Sequence, residues 1–210
     1  MDSRLTDLSV TDLVGRLASR DPIPGGGSAS ALAGAMGAAL VHMVVELTAG
    51  RPAADEPALA RIRFAAASLQ SDLLRLAEVD AAAYASVVAA RRLPKDTDRD
   101  RDARRVQMDQ AIREATRAPL EIARRASDVL ALAEELVPIG NRNALSDVGV
   151  AGVLAAASIR GAIMNVDINL PSLPDDDPLR AEAGGAAEEL VADLDDRERA
   201  LRGAAGERIG

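Results

Sequence analysis

In a stretch of 20 residues, Ser28 to Leu47, nearly every side chain is apolar or small. A segment of about this length is able to cross a bilayer as one helix. It contains His42 and Glu46, however, and such groups are costly to bury in lipid. It is also richer in alanine and glycine than in leucine and isoleucine. The pattern therefore favours a helix buried inside a protein over a membrane span.

The small size of the apolar side chains indicates what surrounds that helix. Apolar residues make up 48% of the chain, mostly as Ala, Leu and Val, and only Phe64 and Tyr84 are aromatic. Small side chains suit closely packed helices, whereas β-sheets draw on β-branched and aromatic residues. We therefore expect an all-α fold.

Prolines, glycines and capping residues divide the chain into about six predicted helices, which implies an antiparallel bundle. Asp21 to Gly27 (DPIPGGG) is a predicted loop, because its prolines and glycines break regular structure. Ser28, Asp55 and Ser146 are predicted helix caps, and Pro119 predicts a kink or break. The helices are expected at about residues 6–18, 28–50, 55–92, 97–136, 146–171 and from 178 onward. With no internal repeat or long linker, residues 1–210 are expected to form one domain.

Charge and cysteine content exclude several function classes. The formal net charge is -8, and basic residues alternate with acids from Asp98 to Arg105, so no nucleic-acid partner is expected. The chain has no cysteine, which excludes disulfides and thiolate chemistry, and we expect no metal site. The N-terminus lacks the pattern of a secretory signal, so we expect a cytoplasmic protein without a membrane partner.

Polar residues on the two apolar helices indicate where a ligand would bind. Residues 18 positions apart share one azimuth, because each residue of an α-helix advances by about 100°. By this rule, one stripe of the first apolar helix carries Ser28, His42 and Glu46. One stripe of the second carries Asp147, Asn165 and Asn169. Structural roles stay open: His42 as a packing residue, Asp147 at a favourable helix start, and the asparagines as caps of backbone carbonyls.

Asp80 is the candidate acid or base. It shares one helix face with apolar residues that include Leu73, Leu76 and Val87. Burial raises the pKa of a carboxyl group, which suits it to proton transfer near neutral pH. The alternative is a structural ion pair between Asp80 and a buried arginine.

The glycine-rich segment PGGGS, from Pro24 to Ser28, leads directly into a predicted helix. Free N–H groups and the helix dipole allow such a segment to hold an anion. It lacks the GK[ST] ending of a nucleotide-binding loop and follows no predicted strand. A flexible connector is the alternative, and the position at the mouth of a buried helix favours binding.

Three separated blocks, which begin at Pro22, Asp80 and Asn141, resemble the cyclodeaminase/cyclohydrolase family of folate enzymes. The first is PIPGGGSASALAGAMGAALVHMVVELTAGR, from Pro22 to Arg51. The second joins Asp80 and Tyr84, in DAAAY, to Leu93–Lys95. The third runs from Asn141 to Leu173. Together the blocks cover most of the chain in the family's order.

The resemblance implies an all-helical homodimer with its folate site near the subunit contact, a tetrahydrofolate derivative as substrate, and no further cofactor. On this basis Asp80 is the hypothetical proton-transfer carboxylate, and Asp147 stabilises positive charge on the substrate. The residues expected to hold the folate are Gly25, Gly26, Gly27, Ser28 and Lys95. The residues expected to orient it are Asn141, Asn165 and Asn169, with His42 and Glu46 as further candidates.

The activity expected first is that of a methenyltetrahydrofolate cyclohydrolase, because the chain has no room for a formiminotransferase domain. Formiminotetrahydrofolate cyclodeaminase is the alternative within the family. A folate-binding helical dimer without activity is a third alternative. It is motivated by the segment after Gly50 and by the scarcity of aromatic residues for stacking on a pterin.

Overall fold

Seven α-helices form the described part of the chain, residues 4–52 and 54–209 of this computed structural model. They are α1 Val10–Leu17, α2 Gly26–Thr48, α3 Glu56–Arg91, α4 Asp98–Leu136, α5 Leu145–Asn169, α6 Pro178–Val191 and α7 Leu194–Ile209. Short 3-10 helices cover Leu5–Asp7, Arg142–Ala144 and Leu170–Ser172. Ala53, between the second and third predicted helices, lies outside the described residues, as do positions 1–3 and 210 of the predicted domain.

The prediction of an all-α bundle is confirmed, since the described residues form helices and no strand. The last predicted helix is two helices, because a turn at Ala192 and Asp193 separates its halves. In α6, Leu179 and Ala183 join a cluster formed with α3 and α4. In α7, Leu194 and Leu201 join the main core. The break predicted as one option at Pro119 does not occur, since α4 continues through that residue.

The predicted helix caps are partly corrected. Asp55 caps α3, accepting the backbone N–H of Ala58 at 3.2 Å. Ser28 is not a cap, because α2 already begins at Gly26 and the Ser28 side chain is directed into the bundle. Ser146 lies inside α5, because the 3-10 turn before it leads directly into the helix at Leu145.

Helices α2 and α5 pack side by side at the centre of the bundle. They run antiparallel, since Gly26 at the start of α2 faces Asn165 near the end of α5. Further along, a β-carbon at Gly37 would lie 3.0 Å from the carbonyl oxygen of Ala151. Glycine therefore permits a close approach of the two helix backbones, which a larger residue at this position would prevent.

The faces of α2 and α5 that point out of the bundle are apolar and exposed. We call the following residues the α2–α5 surface: Met36, Met43 and Leu47 of α2, and Val150, Val153, Met164 and Ile168 of α5. By length and composition alone, α2 and the stretch Arg142–Ser172 are apolar enough to cross a membrane. Within the bundle, 56% and 50% of their most apolar windows are buried, and core helices of bundles meet the same criterion.

Candidate active site

A cavity of about 250 Å³ lies where α2 begins, between α3, α4 and α5. It is lined by Pro22, Ile23, Gly25, Gly26, Gly27, Asp80, Ala81, Tyr84, Ala115, Asn165, Ile168 and Asn169. Three helices and the predicted glycine-rich loop therefore converge on one small volume. Six of the predicted site residues line it: the three glycines, Asp80 and two asparagines.

The glycine-rich start of α2 holds a carboxylate of the protein itself. A β-carbon at Gly27 would lie 2.7 Å from Oδ2 of Asp80 and even closer to Oδ1. Only glycine therefore leaves room for this carboxyl group. The hydroxyl of Ser28 lies 3.0 Å from Oδ2 of Asp80 and 3.0 Å from the carbonyl oxygen of Ala77. The anion at this helix start is Asp80, placed where N–H groups and the helix dipole favour negative charge.

Burial raises the pKa of Asp80 above its ordinary value, and hydrogen bonds from the hydroxyl and backbone of Ser28 offset part of that increase. No Lys or Arg forms an ion pair with Asp80 in the described residues, so the alternative of a buried pair with arginine is wrong. That arrangement occurs instead at Asp177, which is buried and bonded to Arg113. Asp80 is thus a partly desolvated carboxyl group at a cavity wall, which is the setting of a general acid or base.

Asn165 and Asn169 line the cavity, and their side-chain nitrogens are bonded to backbone carbonyls. Nδ2 of Asn165 donates to the carbonyl oxygen of Gly161 at 2.7 Å. Nδ2 of Asn169 lies 2.8 Å from two carbonyl oxygens, those of Asn165 and Ala115. The two N–H groups of Asn169 are thus both used, which leaves its oxygen for a ligand, whereas Asn165 keeps one N–H and its oxygen. The predicted capping role and the predicted ligand role are therefore compatible.

Pro119 explains why Asn169 reaches α4. A proline has no N–H, so Pro119 cannot donate to the carbonyl of Ala115, four residues earlier in the helix. That carbonyl accepts the Asn169 amide instead. The sequence marked Pro119 as an irregularity and Asn169 as a candidate, but only the fold connects them.

Tyr84 and Ile168 complete the mouth of the cavity, although the sequence did not select them as site residues. Tyr84 lies one turn after Asp80 and is 38% exposed. Ile168 lies between the two asparagines of α5 and is 74% exposed. Tyr84 could have been found from helical spacing, because it lies four residues after Asp80 on the same helix face. For Ile168, no pattern separated it from the other apolar residues of α5.

The structure does not bring all predicted residues to this cavity. Asp147 shares an azimuth with Asn165 but lies about 27 Å away along the helix axis, at 1.5 Å for each of 18 residues. It is therefore outside the Asp80 site of the same chain. Glu46 is separated from Ser28 by the same distance, and it pairs with His42 and Arg63 at the far end of α2. Residues that share an azimuth on one helix can therefore lie at opposite ends of the bundle.

Three further predicted residues have other positions or contacts in this chain. Asn141 fixes the start of α5 to the end of α2, since its Nδ2 donates to the carbonyl oxygen of Leu47 at 3.1 Å. Lys95 is exposed in the turn between α3 and α4 and does not line the cavity. Ser28 is fully buried, so it contacts Asp80 rather than a ligand.

Comparison with known proteins agrees with this architecture. The chain is 40% identical to the methenyltetrahydrofolate cyclohydrolase of Methylorubrum extorquens, over 92% of this chain and 89% of that protein. It is 37% identical to the formimidoyltransferase-cyclodeaminase of Rattus norvegicus, over 83% of this chain and 33% of that protein. The solved structure of formiminotetrahydrofolate cyclodeaminase from Thermotoga maritima has a TM-score of 0.86 at 26% identity. That alignment covers 98% of this chain and 100% of the other.

The family resemblance predicted from the three sequence blocks is confirmed. A family model described as formiminotransferase-cyclodeaminase matches residues 9–185, which include the cavity and all four central helices. The chain spans about a third of the rat protein but nearly the whole of the bacterial cyclohydrolase. This chain belongs to the formiminotransferase-cyclodeaminase family.

Proposed function

We propose that this chain is a methenyltetrahydrofolate cyclohydrolase, which opens the methenyl bridge of its substrate with water to leave a formyl group. The observation that carries the proposal is the Asp80 carboxyl group, partly desolvated at the wall of a cavity. The cyclohydrolase of Methylorubrum extorquens, similar over nearly its whole length, supports this choice of reaction.

The walls of the cavity suit a positively charged one-carbon unit. Asp80 supplies a carboxylate, and Asn165 and Asn169 supply amide oxygens. No Lys or Arg is among the described residues that line it. The methenyl bridge is a cationic amidine, whereas the formyl product is neutral. Hydrogen-bond acceptors and one carboxylate therefore favour the substrate and the transition state that still carries part of its charge.

The proton steps follow from the position of Asp80. The ionised carboxylate takes a proton from water as the water oxygen bonds to the methenyl carbon, which forms a neutral tetrahedral carbinol. One carbon–nitrogen bond then breaks, Asp80 returns the proton to the leaving nitrogen, and the carbinol hydroxyl releases its proton as the formyl carbonyl forms. One cation and one water thus give a neutral formyl compound and one proton. A carboxyl group with a raised pKa serves both steps.

Cyclodeamination is the second candidate function, because the rat and Thermotoga maritima relatives carry that name. In that reaction a folate nitrogen attacks the formimino carbon and ammonia leaves. The same carboxyl group would carry the proton. The two reactions differ in the leaving group, and the residues around Asp80 serve either one.

A second copy of the chain is expected to cover the α2–α5 surface. Met164 and Ile168 are 70% and 74% exposed, and Ile168 lines the cavity as well. The cavity, at about 250 Å³, falls below the usual 300–1,000 Å³ of a ligand site. A partner on this surface would bury the exposed apolar side chains and extend the cavity wall at Ile168.

The same homodimer offers a role for Asp147. Ala157 lies on the exposed side of α5, ten residues after Asp147 and eight before Asn165. A two-fold axis near Ala157 would pair the start of α5 in one copy with the end of α5 in the other, because such an interface is self-complementary. The partner's Asp147 would then approach the Asn165–Asn169 turn. We therefore keep Asp147 as a proposed charge stabiliser only for the site of the other copy in the dimer.

A spectroscopic assay separates the three functions. Loss of the methenyl absorbance on adding enzyme indicates cyclohydrolase, and its growth from formimino substrate indicates cyclodeaminase. Binding of folate without either change indicates an inactive binding protein and contradicts the proposal. The rates are compared with those of Asp80→Asn, which keeps the shape of the side chain and removes its proton-transfer role.

Mixing two variants tests the dimer. Asp80→Asn and Asp147→Asn are each expected to keep about 1% of the wild-type activity or less. In a heterodimer of the two, one of the two sites combines unchanged Asp80 with unchanged Asp147 of the other chain. After subunit exchange, the mixture is expected to recover about a quarter of the wild-type activity, because half the dimers are mixed. No recovery, with exchange verified by mass spectrometry, contradicts a shared site.

A further inference from the structure

Ser28 has contacts that the proposed reaction does not yet use. Its side chain is fully buried, so no ligand reaches it. Its hydroxyl lies 3.0 Å from two acceptors, Oδ2 of Asp80 and the carbonyl oxygen of Ala77. A serine hydroxyl has one proton to donate and two lone pairs to accept with. It therefore donates to one of these acceptors at a time.

The two partners match the two protonation states of Asp80. When Asp80 is ionised, the Ser28 hydroxyl donates to Oδ2. When Asp80 is protonated, its own O–H donates to Oγ of Ser28, and the serine proton turns to the carbonyl of Ala77. Each state thus leaves the buried hydroxyl satisfied, whereas a buried polar group without a partner carries a penalty.

We infer that Ser28 is a positioning residue that keeps the Asp80 carboxyl group in one place while it gains and loses a proton. The inference rests on the proposed function, because it assigns Asp80 a proton-transfer cycle. Gly27 removes the steric obstacle to this placement, and Ser28 supplies the hydrogen bond that serves both states. Ser28 acts through Asp80 and contacts no substrate.

The surroundings of Asp80 leave few other groups to perform this task. From α2 it meets Gly27 and Ser28, and the cavity residues of α4 and α5 are Ala115, the two asparagines and Ile168, all uncharged. Tyr84, on its own helix, is the other titratable side chain among the described residues that line the cavity.

The chain contains a matched control for removing this hydroxyl. Ser158 of α5 is also fully buried, and its Oγ has no hydrogen-bond partner among the described residues. It packs near Gly34, away from the cavity lining. Ser158→Ala therefore removes a buried serine hydroxyl without touching Asp80. Ser28→Thr keeps the hydroxyl and serves as the rescue variant.

The experiment is an NMR titration of the Asp80 carboxyl carbon in the wild-type protein and in the three variants, together with pH profiles of kcat. In Ser28→Ala the Asp80 pKa is expected to rise by about 1 unit, since the lost hydrogen bond is stronger to the charged form than to the neutral form. The acidic limb of kcat moves to higher pH by the same amount, and kcat at its plateau falls by about tenfold with little change in KM. Ser158→Ala leaves the titration and the profile unchanged, and Ser28→Thr restores both.

An unchanged Asp80 titration in Ser28→Ala overturns the inference. So does an equal shift in Ser158→Ala, because that result would indicate a general effect of core packing. The titration needs no turnover. If the wild-type chain converts neither folate, the proposed function fails, while the coupling of Ser28 to Asp80 is still decided by the NMR result.

Discussion

Replacing Gly27 by alanine is expected to displace the Asp80 carboxyl group. The added β-carbon would lie 2.7 Å or less from both carboxyl oxygens, where ordinary contacts begin at about 3.4 Å. The backbone of Gly27 is helical and does not need glycine for its conformation, since Gly50 has the one positive φ in the described residues. The whole effect is therefore steric, and Asp80 has to move by roughly 1 Å. A displacement of about that size at a reacting group costs on the order of 100-fold in rate.

The assay follows methenyl absorbance and thermal unfolding in parallel. Gly27→Ala is expected to lower kcat by about 100-fold while the protein stays folded, because alanine in a helix offsets part of the steric cost. Gly152→Ala is the control. Its β-carbon would overlap Leu201 of α7, so it is expected to lower the melting temperature and leave kcat unchanged. If kcat of the Gly27→Ala enzyme stays within about threefold of wild type, the reasoning that Gly27 positions the proposed catalytic carboxyl group of Asp80 is wrong.

Three further expectations follow from the same contacts. Asp80→Asn is expected to lower kcat by about 10²-fold or more and to raise the melting temperature at pH 7. Because burial raises the pKa of Asp80, the stability of the wild-type protein declines as pH rises through the range in which this carboxyl group ionises. The difference in melting temperature between the two proteins should therefore vanish in acid. Pro119→Ala gives α4 a new N–H that competes with Asn169 for the Ala115 carbonyl. We therefore expect KM to rise and the helix to become more stable. An unchanged KM contradicts the role of Pro119 in positioning Asn169. Met164→Glu places a charge on the α2–α5 surface, and light scattering should then report a monomer; a dimer of unchanged affinity contradicts the proposed interface.

The fold was largely predictable because local rules determine it. The positions of proline and glycine predicted the loops, and the scarcity of aromatic residues predicted a helical bundle. The exact helix starts were not predictable at Ser28 and Ser146, because a serine near a helix start fits either a cap or a buried position. At Ser28 the tertiary contact with Asp80 decided between them.

The candidate site was predictable in part, for a geometric reason. Helical periodicity gives the direction in which a side chain points, and it correctly grouped Asn165 with Asn169. It does not give the height at which two helices meet, so Asp147, Glu46 and His42 were grouped with residues at the opposite end of the bundle. The contact between Gly27 and Asp80 was not predictable without the fold, because the two residues lie 53 positions apart in the chain.

The proline in α4 has a consequence for how sequences of this kind can diverge. The missing N–H leaves one carbonyl in the middle of a long helix, and the amide of Asn169 on α5 occupies it. This bond fixes the axial register of the two helices, since a slide by one turn of about 5.4 Å would separate them. A substitution of Pro119 alone or of Asn169 alone would disturb this bond. We expect proline and asparagine at these two positions to be exchanged together, as a coupled pair, in chains that keep the cavity.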